Sequence, residues 1–110
     1  MKLYLDTSTP TTILKLDDTT YEWPSGQGLA EGLLGFIHDK LEEHHATWQD
    51  IEEITFMSGP GSFTGLRIGA AVANTLAHEL NIPLYDHHGK LHQIILPEYG
   101  HAANISKPRK

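Results

Sequence analysis

The stretch Ser58-Gly59-Pro60-Gly61-Ser62-Phe63-Thr64-Gly65-Leu66-Arg67-Ile68-Gly69 sets the strongest limit on what this chain can become. Before it, Glu53-Ile54-Thr55-Phe56-Met57 alternates apolar and polar residues, the period of a half-buried strand. After it, Ala70-Ala71-Val72-Ala73-Asn74-Thr75-Leu76-Ala77-His78-Glu79-Leu80 is rich in helix formers. A strand therefore runs into a glycine-proline turn and leaves it as a helix, and the other elements are placed around that corner.

Upstream, Leu3-Tyr4-Leu5 reads as a strand ending at Asp6, followed by the turn Thr7-Ser8-Thr9-Pro10. Thr11–Leu16 is β-branched and reads as a second strand, and Asp17-Asp18 turns the chain into a third, Thr19–Trp23, closed by Pro24. Leu29 to His45 carries Leu29, Leu33, Phe36, Ile37 and Leu41 at helical spacing, with Gly32 and Gly35 as flat places on it. Ala46–Ile51 connects this helix to the strand Glu53–Met57, and a second helix is expected over Ser62–Leu80 with Asn81 as its C-cap. Ile82–Tyr85 reads as a fifth strand; Leu91–Leu96 fits either a short strand or one turn of helix before Pro97-Glu98-Tyr99-Gly100. The order βββαβαβ predicts an α/β domain with a mixed five-stranded sheet and two main helices, an antiparallel edge built on a parallel core.

A chain of 110 residues fits one small domain, and any long apolar helix face left over points to a partner. The net charge of −6 argues against a broad nucleic-acid-binding surface, and Lys107-Pro108-Arg109-Lys110 reads as a solvated end. With no cysteine, disulfides, thiolate metal sites and cysteine nucleophiles are excluded. Asp6 arrives too early for a secretory h-region, and no apolar run reaches the roughly 18–20 residues of a membrane span, so a cytoplasmic protein with no membrane contact is expected.

The corner resembles three phosphate or nucleophile motifs and matches none. A Walker loop needs a lysine where Leu66 follows Gly65, and a nucleophile elbow needs a residue between Gly61 and Ser62. Gly59, Gly61 and Gly65 are one residue too long for a dinucleotide fingerprint, although Asp86 imitates its ribose-binding acid. A turn at Gly59-Pro60-Gly61 with Ser62 capping the helix accounts for the residues. A helix N-terminus can still hold an anion, which leaves Asp6, Gly59, Gly61 and Ser62 as a weak anion- or nucleotide-binding set. Asp6 otherwise caps its own turn. Gly65, Gly69, Ala73 and Ala77 recur every four residues, a stripe that lets another helix or the sheet come close, with Leu66, Val72, Leu76 and Leu80 as apolar area around it. Arg67 is either a surface charge or an ion-pair donor across an interface.

These residues carry a resemblance. Ser58 to Gly69 is similar to the signature of the TsaB (YeaZ) family, which belongs to the bacterial machinery making N6-threonylcarbamoyladenosine at position 37 of tRNA. Leu5-Asp6-Thr7-Ser8-Thr9 resembles that family's opening strand and turn, and Asn81-Ile82-Pro83-Leu84 the stretch after its second helix, so the likeness covers residues 1–86. The resemblance implies half of an actin-like (ribonuclease-H-like) ATPase fold. It implies a non-catalytic subunit that pairs with a TsaD-like transferase, or with itself, through its two helices, in a complex that also holds a TsaE-like ATPase. It implies no cofactor for the chain itself, with ATP and Mg2+ entering only at the level of the complex, and tRNA reached indirectly. Carried onto this sequence, the interface draws on Leu33, Phe36 and Ile37 of the first helix and on Phe63, Gly65, Leu66, Arg67, Gly69, Ala73 and Leu76 of the second. Gly69→Leu is then expected to block the partner and spare the fold. Family members have a second domain; here residues 1–86 would be the family-like domain and 87–110 a divergent extension, a minimal or truncated form. Asn104-Ile105-Ser106-Lys107-Pro108-Arg109-Lys110 faintly resembles the family's basic C-termini.

Eight histidines invite a metal reading, and His88 and His92 have H-x-x-x-H spacing that shares a face if helical. The family-like helix carries His38, His44 and His45, which do not match the TsaD metal motif, so no metal site is expected. The competing function is a weak nucleotide-binding or ATP-hydrolysing enzyme using Asp6 and the 59–62 loop; a peptidase has no nucleophile–base spacing behind it.

Overall fold

Alternation with period two puts one face of the four inner strands in the core, and the structure uses it there. The computed structural model describes residues 1–98; the expectations about the tail from 99 onward lie outside the described residues. The strands are β1 (Lys2–Asp6), β2 (Thr12–Leu16), β3 (Thr19–Trp23), β4 (Glu53–Phe56), β5 (Leu84–Asp86) and β6 (Leu91–His92), and the two long helices are α1 (Leu29–Glu43) and α2 (Phe63–Leu80). They form one sheet in the order β3-β2-β1-β4-β5-β6. β1, β4 and β5 pair in parallel, and β2, β3 and β6 add antiparallel edges.

The register joins Leu3 to Leu16 and Ile54, and Leu5 to Leu14 and Phe56, so one sheet face is a continuous apolar layer. Leu3, Leu5, Leu14, Leu16, Ile54, Phe56 and Leu84 are all buried there. α1 closes the layer with Leu29, Leu33, Ile37 and Leu41, and α2 with Leu66, Ala70, Ala73 and Ala77. Gly32 leaves room for the Trp23 indole, 2.7 Å from where a Cβ would stand, and Trp23 stacks on Phe36 at 4.9 Å. Gly35 has open space above it. Asn81 ends α2 in the left-handed conformation, φ 57°, as a C-cap should.

The sheet has six strands, not five. β6 is two residues long, too short for its pattern to announce a strand. It exists because Asp86 folds the chain back: its Oδ1 accepts the backbone N–H groups of His88 and Lys90, both at 2.9 Å, and Leu84 then pairs with His92. Among the described residues no helix is long and apolar enough to cross a membrane.

Candidate partner interface and the glycine corner

β1 and β4 run side by side and deliver Asp6 and Ser58 to the same edge of the sheet, the carboxyl ends of the parallel strands. That edge is where open α/β sheets place their sites. The chain then turns through Gly59, at φ 125° and pressed against the Glu98 carbonyl, and Gly61, where a Cβ would lie 2.5 Å from the Ser8 Cβ. Ser62 donates its N–H to the Ser8 carbonyl at 2.8 Å, and its hydroxyl accepts the Gly65 N–H at 3.2 Å, the expected cap. Asp6, Gly59, Gly61 and Ser62 do come together at this edge. Asp6 Oδ1, however, accepts the Ser8 N–H and hydroxyl at 2.9 and 2.6 Å, which is the turn-capping use of that side chain. A cleft of about 350 Å³ opens beside Ser62, Thr64 and Gly65 against Thr9 and Ser25.

The small-residue stripe of α2 faces the chain's own sheet. Thr7 donates its hydroxyl to the Gly65 carbonyl at 2.7 Å, and any Cβ on Gly65 would collide with the Thr7 carbonyl. A Cβ on Gly69 would overlap Thr7 Oγ1 and stand 2.7 Å from the Phe56 ring. Leu33, Ile37, Leu66 and Ala73 are likewise core residues, the first three fully enclosed. Gly69→Leu therefore strikes the fold itself, contrary to the expectation that it would spare it. The physical reason is distance: α2 needs no side chain at 65 and 69 to lie this close to β1 and β4.

The surface face of the helices is different. Phe63 is half exposed, with the Arg67 guanidinium 5.5 Å over its ring. Phe36 and Leu76 are partly buried. Between α1 and α2 runs a groove of about 230 Å³ lined by Leu34, Ala71, Val72, Thr75 and Leu76, and Leu34 is 52% exposed. Leu34, Ala71 and Thr75 escaped the sequence reading. Leu34 lies one residue off the Leu29–Leu33–Ile37–Leu41 stripe, and that second apolar line was the available signal.

A cluster not legible in the sequence sits at the corner. Ser58 is buried, and its N–H donates to His87 Nδ1 at 3.2 Å, with its hydroxyl 3.2 Å from the same nitrogen and 3.4 Å from Glu98 Oε2. An Nδ1 that accepts a backbone N–H carries no proton, so neutral His87 keeps its proton on Nε2. Next to it, His92 Nε2 lies 2.7 Å from Asp86 Oδ2, and this bond, then the Lys90 N–H, holds the Asp86 carboxyl down at about 2. His88 and His92 stand on a hairpin rather than one helix face, and the His88 ring lies 4.0 Å from that of His87. Among the described residues the one grouping with metal-ligand spacing is His38, Asp39 and Glu42, all exposed on α1.

The family model described as "TsaD: tRNA N6-adenosine threonylcarbamoyltransferase" matches residues 26–96. A Bacillus subtilis protein described as tRNA threonylcarbamoyladenosine biosynthesis protein TsaB is 44% identical over 48 residues, covering 44% of this chain and 21% of that protein. A Pyrobaculum aerophilum tRNA N6-adenosine threonylcarbamoyltransferase is 39% identical over 83 residues, covering 66% of this chain and 24% of that protein. The solved structure of YeaZ from Pseudomonas aeruginosa superimposes with a TM-score of 0.68 at 31% identity, covering 77% of this chain and 42% of that one. The chain thus spans about a quarter or less of these curated relatives and about two fifths of the solved one.

Proposed function

The chain belongs to the TsaB/YeaZ family, within the group whose family model is the tRNA N6-adenosine threonylcarbamoyltransferase, and from that premise we propose that it serves tRNA threonylcarbamoyladenosine synthesis as a non-catalytic subunit. In this reading it docks a TsaD-like transferase, or a second copy of itself, on the outer face of α1 and α2. The observation that carries it is the apolar groove of Leu34, Ala71, Val72, Thr75 and Leu76, open to solvent between two helices whose inner faces are already filled. Apolar grooves of this kind take the side chains of a facing helix. Arg67 and Phe63 continue the same outer face of α2 in the turns before Ala71, a rim role that arginine and aromatic side chains fill well at interfaces. tRNA is then reached through the partner, in keeping with a net charge of −6.

The test is Ala71→Glu, at an exposed groove position, with co-elution of the TsaD-like subunit and light scattering as readouts. A buried charge at the groove should weaken pairing at least tenfold while the circular dichroism stays unchanged. Pairing at wild-type strength would remove the groove from the interface.

The nucleotide-binding reading draws only on the meeting of Asp6 with the 59–62 loop at the carboxyl ends of β1 and β4. Asp6 is committed to Ser8, and the corner lacks a lysine. Calorimetric titration with Mg–ATP should show no heat of binding to the isolated chain.

A further inference from the structure

The other flank of α2, away from the groove, already holds a guest. Asn74 sits in the middle of an otherwise alanine-rich helix, where a short amide side chain contributes little to helix stability. Its Nδ2 donates to the Ile95 carbonyl at 3.0 Å, and its Oδ1 accepts the Ile95 N–H at 2.8 Å. One carboxamide thus satisfies both backbone groups of one residue, standing in for a neighbouring β-strand. The Ile95 side chain enters the core and is 2% exposed. Its neighbours Ile94 and Leu96 are 64% and 77% exposed. Beyond them Glu98 donates its N–H to the Ser58 carbonyl at 2.6 Å, and its Oε2 accepts the Ser58 hydroxyl at 3.4 Å.

Backbone capture by a fixed polar group, plus a pocket for one side chain, is how proteins hold extended peptides. The guest seen here states what the site accepts: a segment with a free N–H and C=O at one residue and an aliphatic side chain at that residue. The guest also leaves its two flanking aliphatic groups in water, an arrangement poorly suited to a permanent cover. We propose that this flank of α2 is a docking site for an extended segment of a partner protein with a single aliphatic anchor, and that residues 94–96 hold it closed in cis.

A labelled peptide with the sequence of residues 92–98 tests this on the full chain. In the wild type the tethered segment competes at an effective concentration on the order of 1 mM. Ile95→Ser, and Ile95→Ala as a milder version, empties the site, so either folded variant should bind the peptide at least tenfold more tightly than the wild type. Adding Asn74→Ala to that background should abolish the gain, and a peptide carrying aspartate at the Ile95 position should not bind. Equal binding to wild type and variant, no binding to a folded variant, or binding indifferent to Asn74 each overturns the proposal. If the Ile95→Ser chain instead pairs one-to-one with wild-type chain through Asn74, the segment comes from a second copy and the assignment to a different protein falls. Hydrogen exchange on the wild type needs no variant: the Ile95 amide should exchange by local opening at least tenfold faster than those of Leu3 and Leu5. Equal protection would mean the segment opens only with the whole fold, and no site is available to a guest.

Discussion

Two faces of one helix obey different rules here. The inner face of α2 carries Gly65, Gly69, Ala73 and Ala77, all buried, and its composition is set by distance. Thr7 and Phe56 stand where side chains on Gly65 and Gly69 would go. The outer face carries Ala71, Val72, Thr75 and Leu76, apolar yet open to solvent. Small residues on a helix thus mark a close neighbour without saying whether that neighbour is a partner or the chain's own sheet. The apolar residues left over after the sheet is satisfied are the better guide to an interface.

The contrast can be broken most forcefully at Gly69. Gly69→Leu forces a side chain into Thr7 and the Phe56 ring, and overpacking on this scale should destabilise by about 3 kcal/mol or more, read as a fall in the urea midpoint. Gly65→Ala adds a single carbon against the Thr7 carbonyl and should lose about 1–3 kcal/mol in the same assay. At the start of the helix, Ser62→Ala removes the acceptor for the Gly65 N–H and should cost about 1 kcal/mol. On the outer face, Ala71→Glu should change stability by no more than about 0.5 kcal/mol and act on pairing alone. If Gly69→Leu were as mild as Ala71→Glu, the two faces would not differ as described.

Acid addresses the β5–β6 hairpin separately from both faces. The Asp86 carboxyl is lowered from 3.8 to about 2, first by the His92 bond and then by the Lys90 N–H. A depressed carboxyl contributes stability that is fully present above the unfolded value and lost as pH falls through the folded one. Stability should therefore decline between about pH 4 and 2, and His92→Ala should flatten that decline in acid titrations followed by circular dichroism.

Much of the fold was written locally. Leu3, Leu5, Ile54 and Phe56 alternate, Leu29, Leu33, Ile37 and Leu41 recur by turns, Ser62 caps α2 and Asn81 ends it, and each is a relation between residues a few positions apart. The candidate site was less legible. Turn and cap chemistry picks out Asp6, Gly59, Gly61 and Ser62 in the sequence, and two parallel strands bring Asp6 and the 59–62 loop, far apart in the chain, to one edge. The Ser58–His87–Glu98 cluster has no signal in the sequence, since its members span 40 residues and no spacing rule connects them. The Asn74–Ile95 clasp was missed for the same reason, a contact across 21 residues between a helix and an irregular segment.

What the sequence determined by itself is the periodicity, the caps, the family likeness of the glycine corner and the existence of a small-residue stripe. Which way that stripe points was decided only by tertiary structure. A helix with both a small and an apolar face can bury either one, and the choice rests on what stands opposite. Here Thr7 and Phe56 at the ends of β1 and β4 leave room for glycine alone, so the small face turns inward and Leu34, Ala71, Val72, Thr75 and Leu76 are left facing out.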